Sequence, residues 1–245
     1  MNHARVAFAI VLSFAAIAAF GAEEIKLIQG EGMDGWKKPA GKWMNVGEVS
    51  KSAENEKLLS TKPGSGIIVN GPDGKTPNLV SEAEFGDVEL HAEWMVPKGS
   101  NSGVYFMGRY EVQVFDSFGV KEPHYSDAGG IYQRWDSKRG AGKEGYEGHA
   151  PKINASKAPG EWQTYDVIFR APRFDADGKK TENAKFIKVV HNGEVVHENV
   201  EVTGPTRSGM WEFDAEKPTG PLMLQGDHGP VAFRNITIKK VDLSK

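Results

Sequence analysis

Asn192-Gly193 stands between two apolar runs, residues 186–190 and Val195-Val196, and a two-residue Asn-Gly connection of this kind folds as a type I′ turn. Both turn residues need positive φ, so this stretch is committed to a hairpin of adjacent antiparallel strands. The same pattern recurs along the chain. Strands are expected at residues 66–69, 88–96, 104–106, 110–115, 130–135, 165–170, 186–191, 194–197, 222–225 and 231–241, with Gly- and Pro-rich turns between them. Past the first 22 residues no segment sustains a helical apolar period. The expected fold is therefore all-β, two packed antiparallel sheets forming a jelly-roll β-sandwich.

The N-terminus carries His3 and Arg5, then an apolar run over residues 6–20 broken only by Ser13, then small residues at Ala19, Gly21 and Ala22. This is the pattern of a secretory signal peptide. About 15 apolar residues fall short of the roughly 20 that span a bilayer, and Glu23-Glu24 follow at once. The expected organisation is a signal peptide at 1–22 and one domain at 23–245, periplasmic or secreted. There is no cysteine, so neither a disulfide nor a lipoprotein anchor is expected, and no stable membrane anchor. A formal net charge of −3 without long like-charge runs gives no support to a nucleic-acid partner.

Residues 101–116, NSGVYFMGRYEVQVFD, concentrate the polar chemistry. Strand alternation puts Glu111 and Gln113 on one face, roughly 7 Å apart at Cα, with Val112 and Val114 on the other. Such a face is either an ordinary solvated sheet surface or a surface that holds a sugar. Asp116 falls on the opposite face from Glu111 unless a bulge intervenes, so it is either redirected or structural.

The ordered set of Asn101-Ser102-Gly103, the strand from Gly108-Arg109-Tyr110-Glu111 to Asp116, Pro159-Gly160-Glu161-Trp162, Asn192-Gly193, and Leu224-Gln225 through His228-Gly229 with Phe233-Arg234-Asn235-Ile236 resembles the 3-keto-disaccharide hydrolase family. Gly35-Trp36, Trp43 and residues 85–90 extend the match upstream, over nearly the whole chain after about residue 27. The resemblance implies the concanavalin-like, laminarinase-like form of the sandwich. It also implies an enzyme that cleaves 3-keto-glycosides. A C3 ketone acidifies the C2 proton, so a base, an electrophile for the C3 oxygen and an acid for the leaving oxygen suffice. The catalytic candidates are Glu111, His228 and Arg234. Asn101, Arg109, Gln113, Tyr132, Arg134 and Gln225 are substrate-binding candidates. Glu111 and His228 offer one carboxylate and one imidazole to a divalent metal, the one cofactor considered. Arg234 has a second reading, an internal ion pair with Glu93 or Glu111.

Two other functions stay open at this level: a noncatalytic, lectin-like carbohydrate-binding module, and a conventional two-carboxylate glycosidase. Gln113 stands two residues from Glu111, where that glycosidase needs a carboxylate, and it cannot ionise. In every reading the partner is a carbohydrate. Residues 136–150, rich in charge and glycine, are expected to form a long mobile loop beside the site.

Overall fold

A computed structural model describes residues 24–28, 32–38 and 40–244. The expected signal peptide lies outside the described residues. Sixteen strands are present among them: β1 (Glu24–Lys26), β2 (Met44–Lys51), β3 (Leu59–Val69), β4 (Leu79–Phe85), β5 (Val88–Met95), β6 (Asn101–Phe106), β7 (Tyr110–Phe115), β8 (Arg134–Trp135), β9 (Gly145–Tyr146), β10 (Gln163–Arg170), β11 (Arg173–Phe174), β12 (Lys180–Glu182), β13 (Ala184–His191), β14 (Glu194–Val202), β15 (Gly220–Leu224) and β16 (Ala232–Lys240). No helix among the described residues is long and apolar enough to cross a membrane.

The strands make two principal antiparallel sheets. The larger runs β14-β13-β10-β5-β16-β3-β2, with β1 also paired to β16, and the smaller runs β4-β15-β6-β7. Period-two alternation explains how they stack. Leu90, Ala92 and Trp94 of β5, Tyr165, Val167 and Phe169 of β10, and Val104, Phe106, Val112 and Val114 of β6 and β7 are all buried in one cluster. Their neighbours in sequence point outward. Rings join the sheets: Phe106 lies 5.1 Å from Phe169 and meets Phe186 edge-on at 5.4 Å. The Tyr165 hydroxyl crosses the core to donate to the Gln113 carbonyl at 2.6 Å.

Asn192 and Gly193 have φ of 51° and 86° and join β13 to β14, as the Asn-Gly turn requires. The larger strands at 44–51 and 79–85 were not among the expected runs. Met44–Lys51 alternates poorly and carries Gly47, while Leu79–Phe85 is interrupted by Ser81, Glu82 and Glu84. The segment at 136–150 is a structured excursion: β8 pairs with β9, a 3₁₀ turn spans Ser137–Arg139, and Ile131 bridges to His149.

Candidate active site

The outer face of the small sheet carries a cavity of about 170 Å³ lined by Asn101, Tyr105, Glu111, Gln113, Tyr132, Arg207, Ser208, Gln225 and His228. Six of these are residues that the sequence put forward. The floor follows from register. Glu111 of β7 lies opposite Tyr105 of β6, and Gln113 lies opposite Gly103. Residues 129–132 run along the free edge of β7, with Gln113 N–H donating to the Gly130 carbonyl and Tyr132 N–H to the Glu111 carbonyl. That pairing delivers the Tyr132 ring beside Glu111. Gly103 supplies the space, because a Cβ there would collide with the Glu111 carboxylate and the Tyr105 ring.

Glu111 is only 2% exposed, which removes the ordinary solvated surface from the two readings of this face. Burial pushes its carboxyl up to about 8, with the Asp227 charge adding to the rise, while the hydrogen bond from the Tyr105 hydroxyl partly opposes it. Burial also raises the Tyr132 phenol, reinforced by Glu111 and Tyr125 and opposed by Arg207. Gln113, equally buried, donates its amide to the Ser126 carbonyl at 3.1 Å. Its Oε1 is buried and unpaired, and so is Asn101 Oδ1. Two unpaired acceptors on one small cavity match hydroxyl donors arriving with a ligand.

The rim is irregular chain. His228 sits half exposed on the 225–231 loop, its Nδ1 2.5 Å from Asp227 Oδ1. Fully buried Asn70 fastens this loop: it donates to the Gly226 and Gly229 carbonyls at 3.0 and 2.8 Å and accepts from Val231 N–H at 2.8 Å. Gly229, at φ +147°, passes against Ser100 where a side chain would clash. The opposite rim is a strap over residues 203–217, which brings in Arg207 and Ser208. Thr206 ties it to the floor by accepting Glu111 N–H at 3.1 Å and donating to the Arg109 carbonyl at 3.0 Å.

Three candidate arginines are not brought to the cavity. Arg109, in the turn after β6, is buried and donates to the carbonyls of Trp211, Asp214 and Ala215 at 2.8, 3.3 and 2.9 Å, so it supports the strap from beneath. Arg134 points to Thr203 and Glu147, and its guanidinium carbon is 5.0 Å from the centre of the Tyr146 ring. Arg234 lies on the outer face of the large sheet, paired with Glu93 at 2.6 Å and stacked 4.0 Å from the Trp162 ring centre. The ladder shifts register between Arg234 and Thr237, with Asn235 at φ 50°, so the bulge is present but follows Arg234, which keeps its regular place opposite Glu93 on the outer face of the large sheet, away from the site. Asp116 accepts from Gly99 and Phe118 N–H and serves a turn.

The sequence reading missed Tyr105, Arg207 and Ser208. Alternation on β6 places Tyr105 with Asn101 and Gly103, so its signal was available. Arg207 and Ser208 lie in aperiodic chain that carries no such signal. Among the described residues no group of three or more His, Asp or Glu side chains is arranged to hold a metal ion. Glu111 and His228 alone do not complete a ligand set.

A buried acid, an imidazole and an exposed guanidinium around a sugar-sized polar cavity on a jelly-roll sheet belong to a carbohydrate-active enzyme. The chain is a member of the 3-keto-alpha-glucoside-1,2-lyase-like domain family, whose model matches residues 23–239. Among solved structures it is similar to a candidate glycosyl hydrolase from Parabacteroides distasonis, at 25% identity and a TM-score of 0.60 over 89% of this chain and 84% of the other. A second candidate glycosyl hydrolase from the same organism aligns at 18% identity and a TM-score of 0.54, over 89% of this chain and all of the other. No curated protein sequence matches the chain significantly.

Proposed function

We propose that this protein cleaves 3-keto-glucosides by elimination across C1–C2, followed by hydration. The observation that carries the reading is the buried Glu111 carboxylate with its strongly raised pKa, at the floor of a cavity sized for one sugar ring. In its ionised form Glu111 is a stronger base than an ordinary carboxylate, and the proton it has to remove, at C2, is acidified by the neighbouring ketone.

The electrons then balance as follows. Glu111 takes the C2 proton, and the C–H pair moves to the C3 oxygen as an enolate, which Arg207 and the Tyr132 hydroxyl stabilise. The enolate collapses, C1=C2 forms, the C1–O bond breaks, and the leaving oxygen takes a proton from the His228–Asp227 pair at the rim. Addition of water, hydroxyl to C1 and proton to C2, gives net hydrolysis. Gln113 and Asn101, with their unpaired acceptors, receive ring hydroxyls. The family membership and the likeness to the candidate glycosyl hydrolase at 25% identity support a sugar-cleaving role.

The test is label loss. A 3-keto-glucoside deuterated at C2 should surrender its deuterium to solvent in step with turnover, above the rate without enzyme. Full retention of the label in the released sugar would reject elimination in favour of direct displacement, and saturable binding with no cleavage would leave a binding module.

The protein is further proposed to be exported, on the residue pattern at 1–22. Sequencing the N-terminus of protein recovered outside the cytoplasm should find a start between residues 20 and 23. An intact Met1 there would refute processing.

A further inference from the structure

The excursion at 133–147 is stitched to the strap through consecutive residues. The Gln133 carbonyl accepts Arg207 N–H at 2.8 Å. Arg134 bonds Thr203 and fills the space where Gly204 has no side chain. Trp135 meets the Arg207 guanidinium, whose carbon lies 4.0 Å from the ring centre. Tyr146, across from Arg134 in the β8–β9 pair, also carries Arg139 at 4.3 Å, which braces the hairpin. Arg207 lines the cavity yet forms no ion pair among the described residues. An exposed arginine with no carboxylate partner ordinarily spreads over many rotamers, whereas one stacked on an indole is held in plane.

We propose that Trp135 is a positioning residue for Arg207: the indole holds the guanidinium flat at the cavity wall with its N–H edge toward the ligand, and the 133–147 excursion serves the site through that contact. The identity of the ligand oxygen as the C3 enolate rests on the function proposed above. The positioning itself does not.

Two measurements on the full-length chain separate these. In the resting protein, the Arg207 Nε–H resonance, assigned by its disappearance in Arg207→Lys, should be shifted upfield by the indole ring. The shift should vanish in Trp135→Leu and be partly retained in Trp135→Phe. An unshifted resonance in the wild type overturns the proposal whatever the reaction is. In turnover of a 3-keto-glucoside, Trp135→Leu should lower kcat on the order of 10- to 100-fold with a much smaller change in KM. Trp135→Phe should recover most of that loss. In an Arg207→Lys background, Trp135→Leu should add little, because the two residues act as one. A full-sized additional loss there would show that Trp135 acts independently of Arg207 and would overturn the proposal. A shifted resonance with no turnover by the wild type would sink the elimination reading and leave the positioning intact.

Discussion

Glu111→Gln should lower the rate of 3-keto-glucoside cleavage by about 10²–10⁴-fold, the range for losing a positioned general base. Wild-type activity should climb as pH rises toward about 8 and then level off, because only the ionised carboxylate accepts the C2 proton. The same substitution should stabilise the fold, with a specific pH dependence. The folded pKa of Glu111 is raised, so the protonated form is the one the fold prefers. Below its ordinary value of 4.5 the carboxyl is protonated folded or unfolded, and nothing is lost. Between 4.5 and about 8 the unfolded chain ionises first, and wild-type stability falls across that window. Glutamine does not titrate, so the variant's stability advantage should grow from pH 5 to pH 8, up to a ceiling of about 4–5 kcal/mol, and appear as a widening difference in Tm. A variant that keeps full activity removes Glu111 from the chemistry. One whose stability tracks the wild type at both pH values contradicts its burial as an ionisable acid.

Arg109→Met should destabilise the protein by on the order of 1–3 kcal/mol, because it keeps the apolar volume but removes three part-buried, charge-assisted hydrogen bonds to the strap. Urea unfolding should show the loss. Limited proteolysis should show new cleavage within residues 207–217, since the guanidinium bonds to Trp211, Asp214 and Ala215 are what hold that segment down. Activity should fall as well, through displacement of Arg207 and Ser208. This separates the observed role from substrate binding: a variant with unchanged stability and proteolysis but a large rise in KM would return Arg109 to the ligand.

How much of this was legible in the sequence depended on periodicity. Wherever the backbone runs as a strand, side-chain direction follows from counting by two, which put Glu111 and Gln113 on one face, and the β13–β14 hairpin was read from its Asn192-Gly193 turn. Burial was not readable in the same way. Glu111 looks exposed in an alternating strand, and only the cover supplied by residues 129–132 and 203–208 makes the site deep. The arginines failed for a related cause. Arg109 follows a turn with Met107 and Gly108 at φ 55° and 65°, so strand counting loses its phase there, whereas Arg234 keeps its phase but stands on the other sheet, which counting along one strand does not reveal. Each side chain then goes to its partner, backbone carbonyls in one case and Glu93 in the other. Arg207, the guanidinium that does reach the cavity, lies where no period exists to count.

The floor of the site stands on hydrogen-bonded strands, whereas its rim is made of loops fastened by a few side chains such as Asn70, Thr206 and Arg109. A change of side chain on β7 must satisfy the sheet and the core together, but a change at Arg207, Ser208 or His228 answers only to a local tether. The buried carboxyl on the floor is therefore hard to alter and the side chains of the rim are easy to alter. A scaffold built in this way can exchange the groups around the mouth of the cavity while its floor stays fixed.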